Sequence, residues 1–192
     1  MGNMLYLDES MLLGEGASRK CYSHPKDKKK CLKIEKKSGT INRQDLESYH
    51  IVKSILNSYL AGYDDELVET NMGAALVCEL IFDEDGQPSE SFAEYKQTQK
   101  PSPQLKDQFL HFFNLLQKND LFFYDFNPKN FIVQKVPDGV RLRYIDLKSF
   151  KKTRTAFAIE KIPYFAKRKL KRRIERFIKK YLTPPDTETS LL

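Results

Sequence analysis

The polar run Asp83-Glu84-Asp85-Gly86-Gln87-Pro88 divides the chain into two parts with different hydrophobic periods, and that change limits the folds open to it. Before the break, short apolar stretches alternate with polar residues and glycine turns, which is the pattern of paired strands. Leu5–Leu13 leads into Gly14-Glu15-Gly16, Lys20-Cys21-Tyr22 follows, and Lys30–Lys36 alternates as K-C-L-K-I-E-K. Leu67–Thr70 and Ala74–Phe82 read as two further strands about an Asn71-Met72-Gly73 turn. The interruption is Asn42–Leu60, where Leu46, Tyr49, Ile51, Val52, Ile55, Leu56 and Tyr59 recur mostly at helical spacing.

After the break the period becomes helical. Gln104–Asn119 sets Leu105, Phe109, Phe112, Phe113 and Leu116 on one face. Phe131–Val136 and Val140–Ile145 form a hairpin about Pro137-Asp138-Gly139. A last helix runs from about 163 to 182 and stops at Pro184-Pro185. The expected fold is α+β. Residues 1–82 form a twisted antiparallel sheet with one helix and 83–88 a hinge. Residues 89–182 form a small, mainly helical lobe, and 183–192 a flexible tail. A chain of 192 residues suits one domain and can bury roughly 70% of its unfolded surface without disulfides.

Composition excludes several classes. Cys21, Cys31 and Cys78 are odd in number, and no C-x-x-C or histidine cluster accompanies them, so neither a zinc site nor a disulfide framework is signalled. Free thiols suit a reducing compartment. Residues 1–10 lack the basic and apolar regions of a signal peptide, and Tyr6 stands where a myristoylation signal at Gly2 would carry Ser or Thr. The longest apolar run, 73–82, is broken by Glu79 and falls far short of the ~20 residues of a membrane span. The expected location is the cytoplasm, with peripheral contact at the inner membrane. Lys161–Lys180 carries ten Lys or Arg against Glu175, leaving −2 for the rest of a chain whose net charge is +7. The basic character is that of one segment. Its apolar stripe, Leu170, Ile174, Phe177, Ile178 and Tyr181, can pack on the domain or support docking to an anionic surface.

Four local signals carry chemistry. Gly14 and Gly16 lie in a turn between strands, where backbone N–H groups can approach phosphate oxygens. Lys33 stands between apolar Leu32 and Ile34 on an alternating strand, and Glu47 on the next helix is the carboxylate expected to orient it. Asp125 and Asn130 lie five apart across a proline turn, a spacing that can aim a carboxylate at a hydroxyl while the amide holds a metal ion. Asp146 follows an apolar strand, a costly place for a charge without a counter-ion such as Mg²⁺. Singly, each has an ordinary explanation: a hairpin, a surface lysine, a turn former, a helix cap. Their order does not.

G-x-G, C-L-K-I, a helical Glu, D-x-x-x-x-N and I-D-L occur in the order found in protein-kinase-like folds. That resemblance implies ATP and Mg²⁺ between two lobes, with Asp125 as base or positioning residue and Asn130 and Asp146 as metal ligands. It places Leu13, Cys21, Cys31 and Ile132 around the adenine and Cys78 as gatekeeper, with the Glu79–Leu80 backbone on the adenine edge. The stretch from Gly14 to Pro25, followed by Lys30–Ile34 and later Arg176-Phe177-Ile178, closely resembles the YrbL family of PhoP regulatory network proteins, over nearly the whole chain.

The departures from protein kinases are specific. Arg19 replaces a third glycine, Phe123-Tyr124 a His-Arg pair, Asn127 a lysine, and Leu147-Lys148 a Phe-Gly pair. No A-P-E follows in the 46 residues after Asp146. A lobe this compact resembles those of sugar and lipopolysaccharide-core kinases. Some members of the family lack the catalytic Asp, whereas this chain keeps Asp125. The expected function is therefore an ATP- and Mg²⁺-dependent kinase acting on a sugar or glycolipid hydroxyl, approached at an anionic membrane surface through Lys161–Lys180. The alternatives are a pseudokinase with a nucleotide-dependent regulatory role and, less favoured, nucleic-acid binding through the basic helix.

Overall fold

The computed structural model describes residues 4–37, 39–123, 125–148, 150 and 163–183. Gly2, Tyr124, Lys161 and all of the expected tail except Thr183 lie outside the described residues. Strands β1 (Leu12–Glu15), β2 (Arg19–Ser23), β3 (Lys30–Glu35), β4 (Tyr63–Thr70) and β5 (Gly73–Glu79) form an antiparallel sheet in the order β1-β2-β3-β5-β4. Helix α1 (Ile41–Leu56) connects β3 to β4. A three-stranded sheet of β6 (Glu90–Ser91), β7 (Phe131–Val136) and β8 (Gly139–Tyr144) accompanies helices α2 (Phe92–Thr98), α3 (Pro103–Lys118) and α4 (Pro163–Tyr181).

Side-chain alternation splits the large sheet into two faces. The pairs Leu32↔Val77 and Ile34↔Ala75 point with Tyr22 to one side, where Leu7 completes a small buried cluster. The pairs Cys31↔Cys78 and Lys33↔Leu76, with Cys21 opposite Lys33, point to the other side, toward α1 and the second lobe. The segment before β1 is not the strand expected over Leu5–Leu13. Asn71 holds it instead, through Leu7 N donating to Asn71 Oδ1 at 2.8 Å and Asn71 Nδ2 donating to Leu7 O at 2.9 Å. Strand β4 starts at Tyr63, earlier than its apolar residues announce, because an irregular register between Tyr63 and Leu67 breaks its alternation.

The second lobe is built on phenylalanine. Leu105, Phe109, Phe112, Phe113 and Leu116 of α3 are buried, and Phe109 lies 4.7 Å from Phe92, 5.1 Å from Phe131 and 5.3 Å from Phe177 between ring centroids. Each such side chain contributes about 1.5–3 kcal/mol through burial. Helix α2 falls in a region to which the sequence pattern assigns no element. Its start is nonetheless written in Ser91-Phe92-Ala93-Glu94, a capping box in which Ser91 and Glu94 satisfy each other's backbone N–H. On α4, Leu170, Ile174 and Phe177 are buried in the same core, so the apolar stripe packs on the domain and turns the basic face outward. No helix among the described residues is long and apolar enough to cross a membrane.

The polar break at 83–88 is a tied turn. Asp83 N donates to Gln87 O at 2.8 Å, and Lys135 N on β7 donates to Asp83 Oδ1 at 2.8 Å. The bend between lobes is therefore fastened to the second sheet.

Candidate active site

The signals that are scattered in sequence converge on the junction of the two lobes. The turn after Asp125 shapes itself: Asn127 N donates to Asp125 Oδ1 at 2.9 Å, and Asn130 N donates to Asn127 O at 2.9 Å. Asn130 Nδ2 reaches 3.4 Å from Asp125 Oδ2. Ile145 N donates to Asn130 O at 3.1 Å, and Ile145 O accepts from Lys33 Nζ at 2.6 Å. Lys33 of β3, the end of β8 and the Asp125–Asn130 turn are thus linked by successive hydrogen bonds, with Asp146 one residue beyond. Burial opposes the Lys33 charge, but the Cys78 thiol and the Asp45 carboxylate outweigh it and hold its pKa above the usual lysine value.

The structure corrects the expected Lys33–Glu47 pair. Glu47 is exposed on α1, and the carboxylate turned inward is Asp45, which is fully buried. Residues on a helix advance about 100° each, so positions two apart cannot share a face. Asp45 belongs to the stripe Asp45, Tyr49, Val52, Leu56, whose i, i+4, i+7, i+11 spacing was readable in the sequence and points to Asp45 over Glu47.

Asp45 is held by Arg19. Arg19 Nη1 lies 2.6 Å from Asp45 Oδ2, and Arg19 Nη2 lies 3.2 Å from Asp146 Oδ1. Leu147 N donates to Asp45 Oδ1 at 3.0 Å. The Tyr63 hydroxyl is 3.1 Å from both Asp45 Oδ1 and Ile145 O and can donate to one at a time. Burial works against the Arg19 charge, yet Asp45 and then Asp146 raise its pKa above the usual guanidinium value. Arg19 therefore fills the place of a flexible glycine with a buried ion bridge between α1 and the residue expected to hold metal. Lys148 Nζ, 3.2 Å from Asp146 Oδ2, occupies its other oxygen.

Asn130 and Asp146 are both oxygen donors, and no group of three or more His, Cys, Asp or Glu side chains among the described residues forms a metal cluster. Their oxygen chemistry is of the kind Mg²⁺ takes, which keeps several waters and uses one or two protein oxygens, although a metal at Asp146 would have to displace Arg19 or Lys148.

The expected adenine side is apolar and thiol-rich. Cys31 and Cys78 are buried on opposed strands, while Cys21 is partly exposed. A hydrogen bond from the Cys31 thiol draws the Cys21 pKa down to about 7; burial opposes this, and Lys33 and Arg19 assist. Cys31 is pushed strongly up by its contacts with Cys21 and Cys78 and by burial. Leu13 is half exposed, and Ile132 packs at the edge of the core. Gly14 has no heavy atom within 4 Å of an added Cβ, and Gly16 only the Arg19 carbonyl at 3.5 Å, so packing requires glycine at neither position. At Glu79–Leu80 both backbone amides are already engaged. Glu79 N donates to Gly62 O at 2.7 Å and Leu80 N to Lys29 O at 2.8 Å, so neither amide is available to an adenine edge. The Glu79 side chain is locked by Arg143 at 2.6 Å.

Comparison with known proteins bears on the family and the fold. The family described as PhoP regulatory network protein YrbL matches residues 5–182. The uncharacterized protein YrbL of Escherichia coli (strain K12) is 30% identical over 145 residues, covering 71% of this chain and 69% of that one. A solved structure of Rad53 in complex with AMP-PNP superposes with a TM-score of 0.57 at 13% identity, over 96% of this chain and 54% of that one. The PknI kinase domain of Mycobacterium tuberculosis, in a mutant form, gives a TM-score of 0.47 at 12% identity, over 72% and 58% of the two chains. This chain spans a little over half the length of these solved kinases.

Proposed function

Because this chain belongs to the YrbL family of PhoP regulatory network proteins and has a protein-kinase-like fold, we propose that it is an ATP- and Mg²⁺-dependent phosphotransferase acting on a sugar or glycolipid hydroxyl. The observation that carries this reading is the hydrogen-bonded path Lys33–Ile145–Asn130–Asp125, which sets the cation, the amide and the carboxylate of the expected site on one continuous frame. Lys33 is placed to hold phosphate oxygens. Asp125 Oδ2 is placed to accept the acceptor's proton, and Asn130 and Asp146 would hold Mg²⁺, which neutralises charge on the transferring group. The AMP-PNP of the Rad53 structure supports a nucleotide in the corresponding cleft.

A second reading, a nucleotide-binding pseudokinase, is favoured by one feature. Both Asp146 oxygens face cations, Arg19 and Lys148, and Lys33 is bonded to a carbonyl rather than a carboxylate. The two readings separate on γ-phosphate consumption. Purified protein with ATP, Mg²⁺ and a panel of sugar and lipopolysaccharide-core acceptors should release ADP, and chelation of Mg²⁺ should stop it. Nucleotide binding without ADP on any acceptor would leave the pseudokinase.

Cys21 offers a test of the cleft that needs no turnover. Its alkylation by iodoacetamide should rise through pH 7 with a midpoint near the thiol's pKa of about 7, instead of the usual value near 9. Below that midpoint the thiol is protonated and unreactive; above it the thiolate dominates. Mg²⁺-ATP should slow the reaction by covering the thiol. Peptide mass mapping that finds Cys31 labelled first, or ATP without effect on Cys21, contradicts this placement.

A further inference from the structure

Beside the Asp125 turn lies a cavity of about 470 Å³, between α4 and Phe126. Five cationic side chains of α4 line it, among them Arg172, Arg176 and Lys180, and no carboxylate lines it among the described residues. The acid on this helix, Glu175, faces Lys171 at 3.9 Å. A cleft walled by one sign of charge concentrates counter-ions. Its volume is that of an ordinary small-molecule site. Phe126, Phe177 and Tyr181 provide the apolar wall on which a carbon skeleton packs.

The position of this cavity ties it to the chemistry. Phe126 directly follows Asp125 in the chain, so the cavity wall and the candidate base belong to the same turn. Phe126 is wedged 5.3 Å from Phe113 and 6.4 Å from Phe177, which fixes the loop against α4. The apolar stripe of α4 is buried in the core, so the helix cannot offer that face to a membrane, and its cations surround a pocket as well as covering a surface.

We propose that this cavity binds a phosphorylated polyol, an acceptor already bearing two or more anionic groups, and presents one of its hydroxyls to Asp125. The acceptor's role rests on the phosphotransferase reading; capture of the anion does not. In the transfer, the hydroxyl oxygen bonds to the γ-phosphorus of ATP and the bond from that phosphorus to the β–γ bridging oxygen breaks. ADP leaves with the electron pair, and the hydroxyl proton passes to Asp125.

The experiment is calorimetry with myo-inositol hexakisphosphate as probe, at low and high salt, on the full chain. Wild type is expected to bind it, more weakly at high salt. Arg172→Ala/Arg176→Ala should weaken binding by at least about tenfold, since charge-assisted contacts are lost. The more severe Arg172→Glu/Arg176→Glu should abolish it, with unchanged thermal melting because both arginines are exposed. Lys33→Met, which strips the nucleotide cleft, should keep the probe. The site is overturned by unchanged affinity in both arginine variants, by loss of the probe in Lys33→Met, or by binding to anionic vesicles with none to the soluble probe. Probe binding without turnover on any acceptor upholds the anion site and overturns the transferase reading. Turnover without probe binding does the reverse.

Discussion

Replacing Asp125 with asparagine is expected to slow phosphoryl transfer by roughly 10²–10⁴-fold, the usual contribution of a positioned base, while nucleotide affinity stays nearly constant. The substitution is almost isosteric. The retained side-chain oxygen can still accept from Asn127 N, and the Tyr144 hydroxyl still meets the residue 125 carbonyl, now 3.0 Å away. The turn should therefore persist, while the proton acceptor and the weak 3.4 Å contact from Asn130 Nδ2 to Asp125 Oδ2 are lost. Asp146→Asn should act differently. It removes an anion that faces Arg19 and Lys148 and would hold Mg²⁺, so it should erase the Mg²⁺ dependence of ATP affinity. Calorimetry with and without Mg²⁺, beside initial rates, separates the two. Equal losses of affinity in both variants would refute distinct roles for Asp125 and Asp146.

The sequence carried the fold because its local signals agree with one another. The alternation through Lys30–Glu35 is the sheet pairing itself, and the phenylalanine spacing on 104–119 is the core of the second lobe. Lys33 lies inside β3 and Asn130 directly before β7, while Asp125 and Asp146 lie in the irregular segments before β7 and after β8, so their positions were readable from the elements that flank them. What was illegible depends on long-range pairing. Arg19 meets Asp146 across 127 positions, and no local pattern announces that contact. Glu47 is the expected partner of Lys33 as a carboxylate on the next helix, but the phase set by Tyr49, Val52 and Leu56 turns Asp45 inward instead. That the Glu79 and Leu80 amides are already engaged was not readable, because their partners, Gly62 and Lys29, lie on other segments.

Arg19→Met is expected to destabilise the fold by about 3–5 kcal/mol, because it strands a fully buried Asp45 and a nearly buried Asp146 without their shared cation. For a chain of this size that corresponds to a fall in Tm on the order of 10 °C. Tyr63 and Leu147 N would remain on Asp45, but two neutral donors cannot replace a guanidinium at 2.6 Å. Glu47→Gln is the contrasting control. Its side chain is exposed, so stability should change by no more than about 0.5 kcal/mol. Asp45→Asn should be costly alone, yet should recover part of the loss when combined with Arg19→Met, since the stranded charge is then removed as well. The folded fraction of Arg19→Met carries a functional consequence too: with Arg19 gone from Asp146 Oδ1, Mg²⁺ no longer competes with a guanidinium and should bind nucleotide complexes at lower concentration. Urea unfolding of the four variants, with Mg²⁺ titrations of ATP binding, measures both effects. A wild-type midpoint for Arg19→Met would mean that the bridge does not hold the two lobes, and an unchanged Mg²⁺ requirement would mean that Arg19 does not gate Asp146.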